Sequence, residues 1–224
     1  MNSIPQDDEN SDDNESLSNP ISAEGHNQQA EGVMETEGAK PNESQDNLDE
    51  LAAKYANHRV NPLIIASFVD SGLQALGQYC IEAKAGDLID EEELTGDFRS
   101  RITLTDEEAD TRLSVILAFP KSVACQIYQN IFGDVEIENV PGVVHELGNI
   151  LAGLAKNQLS NLHSEIIKLV HPDKASENIT LNFQTGLPED GDDSFDFDLD
   201  GPNFALPLHL EFGDIVLQVY LHKI

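Results

Sequence analysis

Residues 145–153 read HELGNILAG and lie near the middle of a predicted helix that spans residues 141–162. Apolar residues recur in that span at spacings of three and four, which is the periodicity of a helix with one face turned to a core. They are Val144, Leu147, Leu151, Leu154, Ala155, Leu159 and Leu162. The stretch therefore predicts a long amphipathic helix, and it raises the question of why this helix carries a Glu and an Asn three residues apart.

The opposite stripe of the helix is polar or small, and it consists of His145, Glu146, Asn149, Ala152, Gly153 and Lys156. Because Ala152 and Gly153 are small, nothing nearby would shield Glu146 and Asn149, and the backbone of a partner could come close. Gly148 and Gly153 each cost roughly 1 kcal/mol relative to Ala inside a helix, a cost that close approach of another surface would explain. The stripe is therefore predicted to be a docking face.

Periodicity alone favours a simpler alternative, in which Glu146 and Asn149 are solvated residues on the outer face of an amphipathic helix. His145 could act as a base, but a helix histidine with no identified partner is more often inert. The sequence has no nucleophile elbow, phosphate-binding glycine loop or zinc motif. Local pattern therefore leaves the role of this stripe open.

Before this helix the sequence predicts two helices and a hairpin. Residues 48–56, LDELAAKYA, form a short helix, and residues 59–77 form a core helix with Asn61 as its cap and Pro62 at its first position. Residues 98–105 and 111–119 alternate and are rich in β-branched residues, which predicts two strands joined by DEEAD.

After this hairpin, Pro120 opens a predicted helix of sequence KSVACQIYQNIF, and Gly133 ends it. Residues 164–172, SEIIKLVHP, are predicted to be extended because they run into a proline. The remaining predicted strands are ITLNFQT and a closing hairpin, FALPLHLEF and DIVLQVYLHKI, around Gly213. These elements predict an α+β domain with helices, including two long ones, packed on one mixed or antiparallel sheet.

The sequence carries 42 acidic residues against 12 basic ones. Residues 1–48 are predicted to be a disordered acidic tail, because they are too polar to offset the entropy of ordering. Residues 49–224 form the predicted domain, with an acidic loop at 186–203. Nucleic-acid binding is not expected of so acidic a chain. The N-terminus is unlike a signal peptide, and no run reaches the roughly 18 apolar residues of a membrane helix, so we expect a cytoplasmic protein without a membrane partner.

Three further groups of residues partly resemble metal-binding or reactive sites. Cys80 and Cys125 lack metal-binding spacing and are predicted to be reduced, buried thiols. Residues 196–201, DFDLDG, imitate the first half of a calcium loop, but Pro207 stands at its twelfth position, which favours a solvated loop. His209, Glu211 and His222 lie on neighbouring predicted strands, where alternation places polar residues outside in any case. No metal site is predicted.

With these elements in place, the sequence resembles the chemotaxis phosphatases of the CheC and CheX kind. Their motif is Asp or Ser, three residues, Glu, two residues, Asn, twenty-two residues, Pro. Here Glu146, Asn149 and Pro172 keep those spacings, while Gly142 stands at the Asp or Ser position. The order of the elements from about residue 61 to 224 agrees as well. One copy of the motif makes the chain more similar to CheX than to CheC.

The resemblance implies an enzyme that hydrolyses the aspartyl phosphate of a CheY-like response-regulator receiver domain in chemotaxis or motility signalling. Asn149 would orient the attacking water, and Glu146 would pair with a receiver lysine. The phosphorylated receiver would bring its own Mg²⁺, so no cofactor of this chain is expected. The resemblance also implies a homodimer formed through sheet edges. The alternative is a non-catalytic module of the same fold that binds a receiver or a flagellar switch component.

Overall fold

The computed structural model describes residues 41–89, 96–186 and 202–224. Within these ranges five α-helices accompany a six-stranded sheet. The helices are α1 (Pro41–Lys54), α2 (Pro62–Gly77), α3 (Lys121–Phe132), α4 (Val140–Leu159) and α5 (His163–Val170). The strands are β1 (Ala83–Ala85), β2 (Phe98–Asp106), β3 (Thr111–Phe119), β4 (Gln184–Gly186), β5 (Phe204–Leu210) and β6 (Gly213–Lys223).

The sheet has the order β1-β5-β6-β3-β2-β4, and every neighbouring pair is antiparallel. The predicted hairpin of β2 and β3 is confirmed, with Phe98 opposite Phe119 and Asp106 opposite Thr111. The closing hairpin of β5 and β6 is confirmed as well, and it turns next to Gly213 at φ 137. The predicted α+β class is therefore correct, and the sheet is antiparallel in the described part of the chain.

One face of the sheet packs against the helices. On β2 the buried positions alternate, so Ile102 and Leu104 join the main apolar core while Arg101 and Thr103 do not. The same core contains the buried residues of α2, α3, α4 and α5. In particular, α4 lies across β2 and β3 and packs against α2. The long helix that carries the polar stripe is thus held between the sheet and a second helix.

The start of α2 and both ends of α3 follow the sequence signals. The Asn61 side chain accepts a hydrogen bond from the Leu63 amide at 2.9 Å, and Pro62 occupies the first turn of α2. Pro120 precedes α3, and Gly133 ends it at φ 92, a left-handed conformation that glycine adopts without strain. Local chemistry alone fixes these boundaries.

The first helix begins earlier in the chain than the sequence predicts. Helix α1 begins at Pro41, so its first eight residues, 41–48, fall within the predicted tail of 1–48. Asn47 explains part of this extension, because its side chain donates to the buried Asp70 carboxylate of α2 at 2.8 Å. That long-range contact leaves no local signature in the sequence. Residues 1–40 lie outside the described residues.

The prediction that residues 164–172 are extended is wrong, because His163–Val170 form α5. Ile166 and Ile167 are buried, and Val170 follows them at helical spacing, so this short segment is itself amphipathic. Only His171, with φ −128 and ψ 72, has left the helix before Pro172. The restriction that proline imposes acts on one preceding residue and not on the whole segment.

Other predictions hold only in part. Of the predicted strand ITLNFQT, only Gln184 and Thr185 pair, as part of β4. Cys80 and Cys125 are unpaired, as expected, but Cys80 is exposed and Cys125 half-buried, so the prediction of two buried thiols is wrong. Most of the predicted acidic loop, residues 187–201, and with it DFDLDG, lies outside the described residues.

Candidate functional site

The polar stripe of α4 is exposed along most of its length. His145, Glu146, Gly153 and Lys156 are exposed, and Asn149 is half-buried one turn after Glu146. Within the described residues no hydrogen bond or ion pair engages the side chain of Glu146 or of Asn149. Their carboxylate and amide groups are therefore available to a partner on this surface.

Ala152 does not lie on this surface. It is fully buried, so its predicted place on the docking face is wrong. The error comes from the width of the core-facing arc: α4 packs against both the sheet and α2, which buries a second row made of Gly148, Ala152, Ala155 and Leu159. A helix with two partners buries more of its circumference than a single apolar stripe predicts.

The two glycines of α4 have different surroundings. A Cβ at Gly148 would clash with the Oγ of Ser100 on β2 and would come within 2.9 Å of its Cβ. Close approach of another surface does explain this glycine, but the surface is the chain's own sheet. A Cβ at Gly153 would meet nothing within 4 Å. Nothing inside the described domain therefore requires Gly153.

Tyr79, just after α2, belongs to the same surroundings and was not predicted. Helices α2 and α4 run antiparallel, since Asp70 contacts Gln158 while Gly72 lies close to Leu151. This arrangement carries Tyr79 towards the N-terminal half of α4. Burial, and then the charge of Glu146, raise the pKa of the Tyr79 hydroxyl. No sequence pattern could have revealed this pair, because 67 positions separate the two residues.

The two remaining motif positions add no side chain to this surface. Gly142 has no side chain, and Pro172 lies far from Glu146 and Asn149. Gly142 is exposed near the start of α4, with open space where a Cβ would lie. Pro172 begins a 3-10 turn after His171, whose Nε2 lies 3.1 Å from both Thr111 Oγ1 and the Asp110 carbonyl. Thr111 pairs with Asp106, six residues along β2 from the strand position that underlies Gly148. At about 3.3 Å per residue this is about 20 Å, so Pro172 shapes the opposite end of the sheet.

The described residues contain no group of His, Cys, Asp or Glu side chains that could hold a metal ion. His209 Nδ1 instead lies 2.8 Å from Asp214 Oδ1. His222 pairs across strands with Arg112, and burial followed by the Arg112 charge lowers its pKa. His209 and His222 therefore contact different neighbours and do not share one candidate metal site. None of the described helices is both long and apolar enough to cross a membrane.

Comparison with known proteins defines the class of fold. No protein-family model matches the sequence, and no curated protein does. Among solved structures, the chemotaxis protein CheX from Vibrio vulnificus matches with 17% identity and a TM-score of 0.52, covering 70% of this chain and 98% of that one. CheX from Desulfovibrio desulfuricans matches with 18% identity, a TM-score of 0.51 and the same coverage of 70% and 98%.

A chemotactic CheC-like protein from Shewanella oneidensis MR-1 matches with 18% identity and a TM-score of 0.50, over 70% of this chain and 97% of that one. The described domain is therefore an α+β domain with helices packed on an antiparallel sheet. More particularly, it has the fold of the CheC-like and CheX proteins, as the order of its sequence elements predicted.

Proposed function

We propose that this protein hydrolyses the aspartyl phosphate of a CheY-like receiver domain, with Glu146 and Asn149 as the residues that enter the receiver's phosphate site. The observation that carries the proposal is their placement. Both lie one turn apart on the exposed side of α4, and Gly153 leaves the next turn of that side without a side chain. The CheX-like fold supports this assignment.

The chemistry needs few groups from this chain. An acyl phosphate is already activated, so a positioned water is required rather than a strong base or a nucleophile. The Asn149 amide can accept a hydrogen bond through its oxygen and donate through its nitrogen, which suits a water held in line with the phosphorus. Asn149 is half-buried, so its neighbours restrict its motion and help to hold that water in place.

Glu146 serves docking in this proposal. Its exposed carboxylate can form a charge-assisted hydrogen bond with a lysine of the receiver. His145, Gly153 and Lys156 extend the contact surface along α4, and Tyr79, just after α2, borders it. Mg²⁺ belongs to the phosphorylated receiver, whose carboxylates hold it, and this chain contributes no metal ligand to the reaction.

A second candidate function is a non-catalytic module that docks on a receiver or a flagellar switch component. Gly142 favours it, because the first position of the motif has no side chain here although there is open space for one. Both functions use the same face of α4, and both suit a protein of the cytoplasm. They differ only in whether the bound phosphoryl group is released.

Dimerisation through sheet edges is also a proposal. The two edge strands of the sheet are β1 and β4. At β1, the Nζ of Lys54, the last residue of α1, donates to the carbonyl of Ala85 at 2.7 Å and to that of the next residue, Gly86, at 2.8 Å. This leaves β4 as the better edge for pairing with a second copy.

The test is the rate of phosphate loss from purified phosphorylated receivers, with wild-type protein and with three variants. Asn149→Ala should reduce the acceleration on the order of a hundredfold, as loss of one positioned polar group often does. Glu146→Gln should mainly raise the concentration needed for half-maximal rate. Asn157→Ala is the matched control, because Asn157 is an exposed asparagine on the same helix, and it should leave the rate unchanged.

Binding of each receiver is measured alongside, for example by calorimetry. A receiver that binds but is dephosphorylated no faster than alone would exclude the phosphatase and select the docking module. Equal losses in Asn149→Ala and Asn157→Ala would show that Asn149 has no special position.

A further inference from the structure

The connection between α3 and α4 exposes large apolar side chains. Four such side chains are exposed within the described residues, and three of them lie within six consecutive positions. These three are Phe132 at 61%, Val135 at 41% and Ile137 at 52%, and we call them the apolar patch. Apolar residues scattered singly on a surface need no explanation, whereas a group of them marks an interaction site. The apolar patch therefore predicts a contact with a partner at this end of the domain.

The domain holds the apolar patch in place without burying it. The ring centroids of Phe132 and the buried Tyr128 lie 4.7 Å apart, so packing at the end of α3 fixes one member. Ile137 begins a 3-10 turn that continues directly into α4, and the Asn139 side chain donates to Glu136 Oε2 at 2.6 Å. Such local order lowers the conformational entropy that is lost when a partner binds.

The apolar patch is close enough to Glu146 and Asn149 to share one interface with them. Ile137 precedes the first residue of α4 by three positions, and Glu146 lies six positions into the helix. At about 2.0 Å per residue in a 3-10 turn and about 1.5 Å in an α-helix, this is a rise of about 15 Å. A typical interface covers about 800 Å² on each partner, equivalent to a disc about 32 Å across. Gly142, which is exposed between the two groups, contributes no side chain that could hold a partner away.

Carboxylates alternate with the members of the apolar patch. Asp134, Glu136 and Glu138 are exposed, and no ion pair involves them in the described part of the chain. The sequence has no Lys or Arg between Lys121 and Lys156. A second copy that docked through the same surface would bring its own carboxylates against these, and like charges across an interface repel. The charge therefore favours a partner that presents an apolar surface edged by Lys or Arg.

We propose that the apolar patch is a docking surface for the receiver domain whose phosphate site Glu146 and Asn149 enter, and that the receiver meets it with apolar residues edged by Lys or Arg. The docking rests on the proposed function, since one receiver has to cover both the patch and the start of α4. The carboxylates attract the basic edge of the receiver, and the apolar side chains exclude water from the contact. The apolar patch thus contributes affinity, while Asn149 contributes the chemistry.

The first test compares receiver binding in variants of the apolar patch. Titrations with phosphorylated receiver are made in the Asn149→Ala background, where slow turnover keeps the phosphoryl group in place. The double variant Val135→Ser, Ile137→Ser changes only exposed side chains outside the core, and it should weaken binding on the order of tenfold. Ile224→Ser is the matched control, because Ile224 is 50% exposed and lies beside Asp110 at the opposite end of the sheet. It should leave the affinity unchanged.

Restoring Asn149 separates affinity from chemistry. With Asn149 present, the patch variants should raise the receiver concentration needed for the half-maximal rate and leave the rate at saturation as in the wild type. Asn149→Ala alone should lower the rate at saturation. A patch variant that lowers only the rate at saturation would contradict a docking role.

Charge reversal tests the predicted basic edge of the receiver. Asp134→Lys, Glu138→Lys should weaken binding on the order of tenfold at about 0.05 M NaCl and by less at about 0.5 M, because salt screens exposed charges. Asp173→Lys, Glu177→Lys makes the same charge change at exposed carboxylates after α5 and should have little effect. Equal weakening by both double variants would mean that net charge governs binding, and it would overturn the local contact.

Thiol labelling locates the contact directly. Val135→Cys, in a chain with Cys80→Ser and Cys125→Ser, is labelled with a thiol reagent alone and with saturating receiver. We expect the bound receiver to slow labelling on the order of tenfold or more, as in the buried centre of an interface. Ile224→Cys in the same background should be labelled equally fast with and without the receiver.

The outcomes distinguish the docking surface from the phosphatase activity. A receiver that binds without protecting Val135→Cys would overturn the docking surface and leave the phosphatase activity standing. Protection without faster loss of phosphate would support the docking surface and reject the phosphatase activity. If no receiver binds, both are overturned. Slower labelling at high protein concentration without a receiver would assign the apolar patch to a second copy and overturn the proposal.

Discussion

Single residues of α4 determine how closely this helix approaches its neighbours. Gly148 lets the helix lie against Ser100 of β2, whereas Gly153 faces open space. Packing inside the domain thus accounts for Gly148, whereas only the proposed docking would account for Gly153.

Alanine at these two positions should have opposite effects on stability. Gly148→Ala forces a Cβ into Ser100 and should lower the free energy of unfolding by about 1–3 kcal/mol. Gly153→Ala should raise it by about 0.5–1 kcal/mol, because glycine is the poorer helix former. Urea denaturation of both variants measures the difference. The packing account fails if Gly148→Ala is as stable as Gly153→Ala.

Gly153→Ala also bears on the proposed docking. If a receiver lies against this turn of the helix, the added methyl group should weaken receiver binding even though it stabilises the fold. An equilibrium titration with the receiver measures this. Unchanged affinity in the stabilised variant would place the contact elsewhere on α4.

At the scale of elements, one buried carboxylate links helices α1, α2 and α4. Asp70 of α2 is 3% exposed and accepts hydrogen bonds from Asn47 of α1 at 2.8 Å, and from Gln74 and Gln158, the latter on α4, at 2.6 Å each. Three side-chain amides thus surround a carboxylate that has no ion pair within the described part of the chain. An ionised carboxylate can only accept hydrogen bonds, and each of these three amides donates one to Asp70 through its nitrogen.

Asp70→Asn should therefore destabilise the packing of α1, α2 and α4. The new amide retains one acceptor oxygen and presents an NH₂ group to at least one donor, which should cost about 1–3 kcal/mol. Asp49→Asn, at an exposed position of α1, removes the same charge and should change stability by less than about 0.5 kcal/mol. Chemical denaturation compares the two. Equal effects would mean that the charge itself, and not the hydrogen bonds, is responsible.

The residue after α1, Tyr55, is joined to the residue after β1, since its hydroxyl donates to the Gly86 carbonyl at 3.0 Å. Burial, and then the charge of Asp87, raise the pKa of Tyr55 from 10.0 to about 12. The folded state holds this proton more tightly than the unfolded chain does. Its contribution to stability is therefore complete below the unfolded pKa and is lost as the pH rises through the folded one.

The stability difference between wild type and Tyr55→Phe should accordingly depend on alkaline pH. Between about pH 10 and 12 the wild type should lose up to about 2.7 kcal/mol that the variant retains, the equivalent of two pKa units. Urea denaturation of both proteins from pH 8.5 to 12 provides the curve, and lysine titration cancels in the comparison. Parallel curves would show that Tyr55 ionises equally in both states.

At the scale of the whole molecule, charge is the dominant feature. A formal net charge of −30 spread over 224 residues produces repulsion that opposes the compact state. Salt screens this repulsion, because the Debye length falls from about 10 Å at 0.1 M to about 3 Å at 1 M.

The free energy of unfolding should therefore rise with salt, on the order of 1 kcal/mol between 0.05 and 0.5 M NaCl. Denaturation by urea, which is uncharged, measures it. Potassium chloride is the control for a specific sodium effect and should give the same slope. A fall in stability with salt would mean that attractive charge pairs outweigh the net repulsion in the folded state.

The sequence by itself determined the elements that depend on near neighbours along the chain. Alternation specified β2, β3 and the closing hairpin, and the Asn61 cap and Gly133 specified helix ends, because these signals act within a few residues. Helical spacing also placed Glu146 and Asn149 on the outer side of α4. The resemblance to CheC and CheX then supplied the arrangement of these elements, which the structure confirms.

Only the tertiary structure decided what lies opposite each element. It buries Ala152, explains Gly148 by Ser100 and sets Tyr79 beside Glu146. Residues 163–170 form a helix because Ile166 and Ile167 pack into the apolar core. The sequence signal of the nearby proline gave no information about that packing. Each of these outcomes rests on contacts between residues distant in the chain, and such contacts exist only after helices and sheet have packed.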